Sequence, residues 1–226
     1  MATAFIGFGS NLGNRIDFCD RAVTLLGLLP HSRLEAVSSL YETEPLEDGA
    51  APGPSWFLNG VVQIETNIAP KSLLEICREI ERALGRDQDN RKGPRTLDLD
   101  VLLYDDCILD EPTLTVPHPR LHQRRFVLTP LVELDPERRH PVLGQSLRDL
   151  LSQLTDPSIV RLLDPRPNSR YGSRPACSAP PTAGPQACRS FAPRRPWPTG
   201  AADSIAKASR SGSCRRWEPY TKGTAP

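Results

Sequence analysis

The run Gly93-Pro94-Arg95-Thr96-Leu97-Asp98-Leu99-Asp100-Val101-Leu102-Leu103-Tyr104 alternates two carboxylates with aliphatic residues, directly after a rigid basic loop. In a strand, Leu97, Leu99, Val101 and Leu103 point to one face, and Asp98 and Asp100 to the other. At about 3.3 Å rise per residue the two Asp Cα atoms lie about 6.6 Å apart, close enough for both carboxylates to hold one or two divalent cations. Arg95 adds a guanidinium beside the pair, the partner that a polyphosphate needs. A solvated sheet face shows the same alternation. What favours metal chemistry is the repulsion between two like charges on a strand that carries no cation to relieve it.

The elements that must position these groups follow from periodicity. Thr3 to Phe8 reads as a strand closed by Gly9-Ser10-Asn11-Leu12-Gly13-Asn14, and Ile16, Cys19, Val23 and Leu26 recur at helical spacing until Pro30. Leu34 to Tyr41 returns to strand character. A long Pro-rich polar loop from Thr43 to Trp56 follows, of a length that is usually functional. Phe57 to Thr66 alternates as a strand, and Leu73, Ile76, Cys77, Ile80 and Leu84 mark a second amphipathic helix between Pro70 and Gly85. Arg86 to Thr96 leads into the Asp strand. A hairpin near Cys107 to Leu109, a short helix from Val127 to Leu134 and a last one from Ser146 to Leu154 complete the pattern.

Strand, helix, strand, strand, helix, strand is the order of an α+β, ferredoxin-like (split βαβ) fold: an antiparallel sheet with two helices on one face and the other face free for ligands. The chain of 226 residues carries a net charge of +1, but residues 165–226 hold eleven Lys or Arg against two acids, and 11 of the 24 prolines. That segment lacks the aliphatic residues to offset its chain entropy. The expectation is one folded domain over residues 1–164 and a disordered, basic Pro/Ser/Arg-rich extension over 165–226.

Cys19 and Cys77 fall on apolar helix faces, and no Cys-x-x-Cys pair occurs, so buried thiols are expected in place of disulfides or zinc ligands. The N-terminus reads as a strand and not a signal peptide. No apolar run reaches membrane-spanning length, which places the chain in the cytoplasm. The near-neutral balance argues against a dedicated nucleic-acid binder, and a monomer is the default.

Four segments stand in one order: Gly9-Ser10-Asn11-Leu12, Ser38-Ser39-Leu40-Tyr41-Glu42-Thr43-Glu44-Pro45-Leu46, Gly93-Pro94-Arg95-Thr96-Leu97-Asp98-Leu99-Asp100 and Leu114-Thr115-Val116-Pro117-His118-Pro119-Arg120. From about Thr3 to Leu154 the chain resembles the 6-hydroxymethyl-7,8-dihydropterin pyrophosphokinases of folate biosynthesis. The resemblance implies transfer of pyrophosphate from ATP to the pterin hydroxymethyl group, with release of AMP and with two Mg²⁺ ions. It implies Asp98 and Asp100 as metal ligands and Arg86 and Arg95 as catalytic arginines that also bind ATP. Glu81, Thr115, His118 and Arg124 fall on its nucleotide side, and Arg91 or Lys92 supplies a second basic group in the loop before Arg95. Its pterin side implies Thr43, Pro45, Leu46, Phe57, Asn59 and Phe126.

Residue chemistry agrees with those roles. A flat heteroaromatic with a donor and acceptor edge wants aromatic faces, which Phe57 and Phe126 supply, and an amide such as Asn59 that both donates and accepts. The rings also serve as plain core, and a solvated helix face accounts for Glu81 equally well. Two other classes share single features. Nucleotidyl and nucleotide-sugar transferases also use Asp-x-Asp but need a larger core. RNA-binding ferredoxin-like sheets carry exposed aromatics where this face carries acids.

Overall fold

The computed structural model describes residues 1–44, 56–86 and 93–164. Pro45, Leu46, Arg91, Lys92 and the extension from residue 165 lie outside the described residues. Strands β1 (Ala2–Ser10), β2 (Ser32–Val37), β3 (Leu40–Thr43), β4 (Phe57–Thr66), β5 (Asp98–Tyr104) and β8 (Val160–Asp164) form one antiparallel sheet. Its order is β5-β1-β4-β3-β8, with β2 paired to the other end of β4. A separate hairpin joins β6 (Leu109–Glu111) to β7 (Leu114–Val116).

Helices α1 (Arg15–Gly27) and α2 (Pro70–Ala83) cover one face, as the alternation of elements demands. In α2, Pro70 takes the first helical position, where its missing N–H costs nothing. Leu73, Ile76, Cys77 and Ile80 form the buried stripe, and Gly85 at φ +84° ends the helix in a conformation that favours glycine. Each fully buried Leu or Ile in this layer is worth about 1.5–3 kcal/mol, so Leu73→Ala is expected to cost about 2–5 kcal/mol with its cavity. Cys19 and Cys77 are buried thiols within the same core.

The second face is not free along its length. Helices α3 (Arg125–Leu134) and α4 (Leu147–Gln153) pack there, and Leu121, Val127, Leu128, Leu131, Leu147 and Leu150 cover Phe5, Val61, Leu102 and Leu103. Only the end of this face that carries Gly9, Asn59 and Asp98 escapes that cluster. Leu103 therefore faces the α3 layer, opposite to the direction that strict alternation gives. The cause is a bulge: Phe5 pairs with Leu103 and Ile6 with Val101, so Leu102 is the extra residue and the side chains after it change face.

The segment from Leu34 to Tyr41 is two strands. Ser38 interrupts the ladder by accepting the Val61 N–H on its Oγ at 2.9 Å, and Ser39 turns toward α3. The hairpin lies later than Cys107 to Leu109, with its register at Asp110 opposite Thr115. Strand β8 is absent from the sequence reading; its exposed Leu162 and Leu163 give no period, and only pairing with β3 defines it.

Candidate active site

One row of the sheet builds the site. Tyr41 pairs with Asn59, Asn59 with Gly9, and Gly9 with Asp98; one step along, Val61 pairs with Gly7 and Gly7 with Asp100. Directly paired residues share a face, so an amide and two carboxylates flank a floor of two glycines. With strands about 4.8 Å apart, Asn59 and Asp98 stand about 10 Å from each other across β1. A Cβ at Gly9 would lie 2.6 Å from Asn59 Oδ1, and one at Gly7 would lie 3.2 Å from Leu102 Cδ1. The Gly7-x-Gly9 alternation inside an apolar strand was the available sequence signal for this floor, which the sequence reading missed.

On the carboxylate side, Arg86 is paired through Nη1 with both Glu81 Oε1 and Asp98 Oδ1, and Arg95 Nη1 donates to Asp98 Oδ2 at 2.6 Å. Both oxygens of Asp98 thus face guanidinium groups. The like-charge repulsion read from the strand is relieved here by arginines from the end of α2 and from the preceding loop. Asp100 has no hydrogen-bond or ion-pair partner among the described residues. Burial, and then the neighbouring Asp98, push its carboxyl up to about 6, against the pull of Arg124, Arg86 and Arg95. A half-buried carboxylate with no donor among the described residues, two residues from a second one, is a fitting hard-cation ligand.

Glu81 is 4% exposed, which removes the solvated-face reading. Its Oε1 accepts the Leu99 N–H of the edge strand at 2.7 Å and meets Arg86. Burial pushes its carboxyl up to about 7, while the Leu99 N–H and Arg86 pull it down and Asp98 and Asp100 push it up. Arg95 is fixed through its backbone: its N–H donates to Asn11 Oδ1 at 2.7 Å, and its carbonyl accepts the Asn11 N–H at 3.2 Å. Arg95 Nε is buried without a partner among the described residues, an open donor beside the carboxylates. Asn11 belongs to the turn after β1, and nothing in the local pattern links it to a residue 84 positions later.

His118 follows the cis Val116–Pro117 bond, and its N–H donates to the Leu102 carbonyl at 2.9 Å. Its Nδ1 accepts the Arg120 N–H at 3.3 Å, which leaves the proton of the neutral ring on Nε2. Burial, with Arg124 and Arg120, lowers its pKa to about 4, against the pull of Asp98. Arg124 lies electrostatically close to both Asp100 and His118, with its Cζ 5.4 Å from the Phe126 ring centroid. Thr115 stands half-buried in β7 opposite Asp110, outside the hydrogen-bonded carboxylate cluster.

On the amide side, Asn59 Nδ2 donates to Thr43 Oγ1 at 2.7 Å, and both residues are buried. Thr43 pairs with Phe57, whose half-buried ring lies 6.0 Å from the Arg95 guanidinium. Phe126 opens the first turn of α3, half-buried, on the helix that covers this face. Glu133, the next-to-last residue of α3, ties that helix to the sheet. Its carboxylate accepts the Ser39 N–H at 3.0 Å, the Ser39 hydroxyl at 2.9 Å and the Tyr41 hydroxyl at 2.8 Å. No local pattern signals this tie, because its partners are more than 90 positions away.

Among the described residues no helix is long and apolar enough to cross a membrane. The model of the family "7,8-dihydro-6-hydroxymethylpterin-pyrophosphokinase (HPPK)" matches residues 5–136. The chain is 44% identical over 158 residues to a 2-amino-4-hydroxy-6-hydroxymethyldihydropteridine pyrophosphokinase of Pseudomonas aeruginosa, covering 70% of this chain and 95% of that protein. It is 42% identical over 156 residues to the folic acid synthesis protein fol1 of Schizosaccharomyces pombe, covering 69% of this chain but only 21% of that protein. A solved Plasmodium falciparum HPPK-DHPS shares the fold at a TM-score of 0.54 and 19% identity, over 67% of this chain and 44% of the other.

Proposed function

The chain belongs to the 7,8-dihydro-6-hydroxymethylpterin-pyrophosphokinase family, and from that premise we propose how its residues divide the reaction. The reaction is the transfer of pyrophosphate from ATP to the hydroxymethyl group of 6-hydroxymethyl-7,8-dihydropterin in folate synthesis. The observation that carries the division of roles is the single sheet row in which Asn59 and Asp98 flank Gly9 on one face.

Asp98 and Asp100 would hold two Mg²⁺ ions, and Arg86 and Arg95 would bind the phosphates. When bound, such cations neutralise phosphate charge and lower the pKa of the hydroxyl group that attacks. Arg86 and Arg95 are already gathered at Asp98, so two guanidinium groups stand beside the carboxylates that would hold the cations. His118, neutral near pH 7, offers an Nε2–H donor to the triphosphate. Arg124, Glu81 and Thr115 complete the nucleotide side.

Asn59 reads the polar edge of the pterin, Phe57 and Phe126 its faces, and Thr43, Pro45 and Leu46 its rim. The hydroxymethyl oxygen forms its new bond to the β phosphorus, the bond from that phosphorus to the α–β bridging oxygen breaks, and AMP leaves. The hydroxyl proton passes to water. Among the described residues the free thiols Cys19 and Cys77 both lie in the α1–α2 core, away from this face, so neither is placed to accept a phosphoryl group, and the transfer is direct and in line. The reading is completed by a catalytic domain over residues 1–164, a separate basic extension, a monomer and a cytoplasmic setting with no nucleic-acid partner.

Incubating the protein with ATP, Mg²⁺ and the reduced hydroxymethylpterin is expected to yield AMP and pterin diphosphate in equal amounts. Asp98→Ala and Asp100→Ala should each reduce turnover by about two orders of magnitude or more. ADP as product, or wild-type turnover in both variants, would refute the assignment.

A further inference from the structure

Arg15 is the first residue of α1, yet the helix does not need its side chain. Asn14 caps the helix by accepting the Asp17 N–H at 3.3 Å, and Cys19, Ala22, Val23 and Leu26 bury it. The Arg15 guanidinium instead joins two strands: Nη1 donates to the Trp56 carbonyl at 2.6 Å, and Nη2 to Glu42 Oε1 at 2.8 Å. Trp56 immediately precedes Phe57, and Glu42 immediately precedes Thr43, so the fork spans β3 and the start of β4 where Thr43 opposes Phe57.

Both partners of the ion pair are about three-quarters buried, which limits screening by salt. A second cation holds the same corner, since Arg161, opposite Glu42 in β8, sits 4.7 Å from the Trp56 ring centroid. Thr43 in turn accepts from Asn59 Nδ2. A chain of contacts therefore runs from Arg15 through Glu42 and Trp56 to Thr43, Phe57 and Asn59.

We propose that Arg15 is a positioning residue for the pterin half of the active site, clamping β3 to β4 so that Thr43 and the Asn59 amide are held for the pterin edge. The inference rests on the assignment of Asn59 to the pterin. A planar guanidinium can serve a carbonyl and a carboxylate at once, whereas a lysine ammonium lacks that rigid fork. Lysine at this position keeps the charge and loses the span.

The test uses the full chain and compares Arg15→Ala, Arg15→Lys, Glu42→Gln and Asn59→Ala by steady-state kinetics, calorimetric pterin binding and thermal melting. Arg15→Ala is expected to raise the KM and Kd for the pterin about tenfold while leaving kcat and the KM for ATP within about twofold. Arg15→Lys should fall between it and wild type. Glu42→Gln should shift the pterin constants in the same direction and add nothing further in the Arg15→Ala background. Unchanged pterin constants, or equal losses for pterin and ATP, in Arg15→Ala would overturn the proposal if Asn59→Ala remains pterin-selective. Equal losses in Asn59→Ala would instead remove the pterin assignment and this proposal with it. Should Arg15→Ala fail to fold, Glu42→Gln alone decides by the same split between pterin and ATP.

Discussion

Adding one methyl group at Gly9 tests the glycine floor more sharply than deleting any catalytic side chain. Gly9 lies in extended β1, where alanine meets no backbone penalty, so the cost of Gly9→Ala arises from the 2.6 Å approach of its Cβ to Asn59 Oδ1. That distance is well inside van der Waals contact, and Asn59 cannot yield freely because its Nδ2 is bonded to Thr43 at 2.7 Å. Relieving the clash means breaking that bond or bending β1, an overpacking cost of about 1–3 kcal/mol. For a domain of this size the melting temperature should fall by about 2–4 °C per kcal/mol. A displaced amide also leaves the pterin edge unpaired, which at about 1.5–3 kcal/mol corresponds to roughly a ten- to hundredfold loss in pterin affinity. ATP affinity should change far less, since the Asp98 side of the row gains no clash. Calorimetric titration with each ligand, with thermal melts of Gly9→Ala, Asn59→Ala and the double variant, measures both terms. The double variant should recover part of the melting temperature, because removing Oδ1 removes the clash. Unaltered pterin affinity in Gly9→Ala, or no recovery in the double variant, would refute the reasoning.

Asp100→Asn should raise the melting temperature of the metal-free protein at pH 7.5 and have little effect near pH 4. A carboxyl pushed up to about 6 in the fold destabilises it only where the unfolded chain is ionised and the folded group resists ionisation, a cost that grows as pH rises from about 4 through 6. Melts in chelator across that range give the sign directly. Glu133→Gln should cost about 2–4 kcal/mol, because one amide oxygen cannot replace the carboxylate that accepts from the Ser39 N–H, the Ser39 hydroxyl and the Tyr41 hydroxyl; urea unfolding checks it. Deleting residues 165–226 should leave turnover and melting temperature nearly unchanged, and limited proteolysis should trim the chain to a stable core ending near Leu163. Protection of Arg189 to Arg195 would show instead that the extension folds or docks.

What the sequence determined by itself is whatever repeats within one segment. The alternation of Phe57 to Thr66 defined β4 to the residue, and Pro70 with the Leu73, Ile76, Cys77 and Ile80 stripe defined α2. Asp98 and Asp100 were legible as a pair because period two places them on one face whatever their neighbours are. Tertiary structure decided everything that depends on a partner far along the chain. The bulge at Leu102 arises from pairing with β1, so Leu103 faces away from Leu99 and Val101 although its sequence continues their alternation. Strand β8 exists only through its ladder with β3. Arg95 beside Asp98 was legible within one run, but the reach of Arg86 to Asp98 and Glu81, the Asn11 clamp on Arg95 and the Glu133 tie join groups whose local patterns carry no trace of one another. Hydrophobic period is a property of one element, whereas hydrogen-bond partners and register are fixed when packing brings elements together. The floor of Gly7 and Gly9 shows both halves: the spacing is written in β1, but its meaning, a gap between an amide and a carboxylate pair, exists only once β4 and β5 lie on either side.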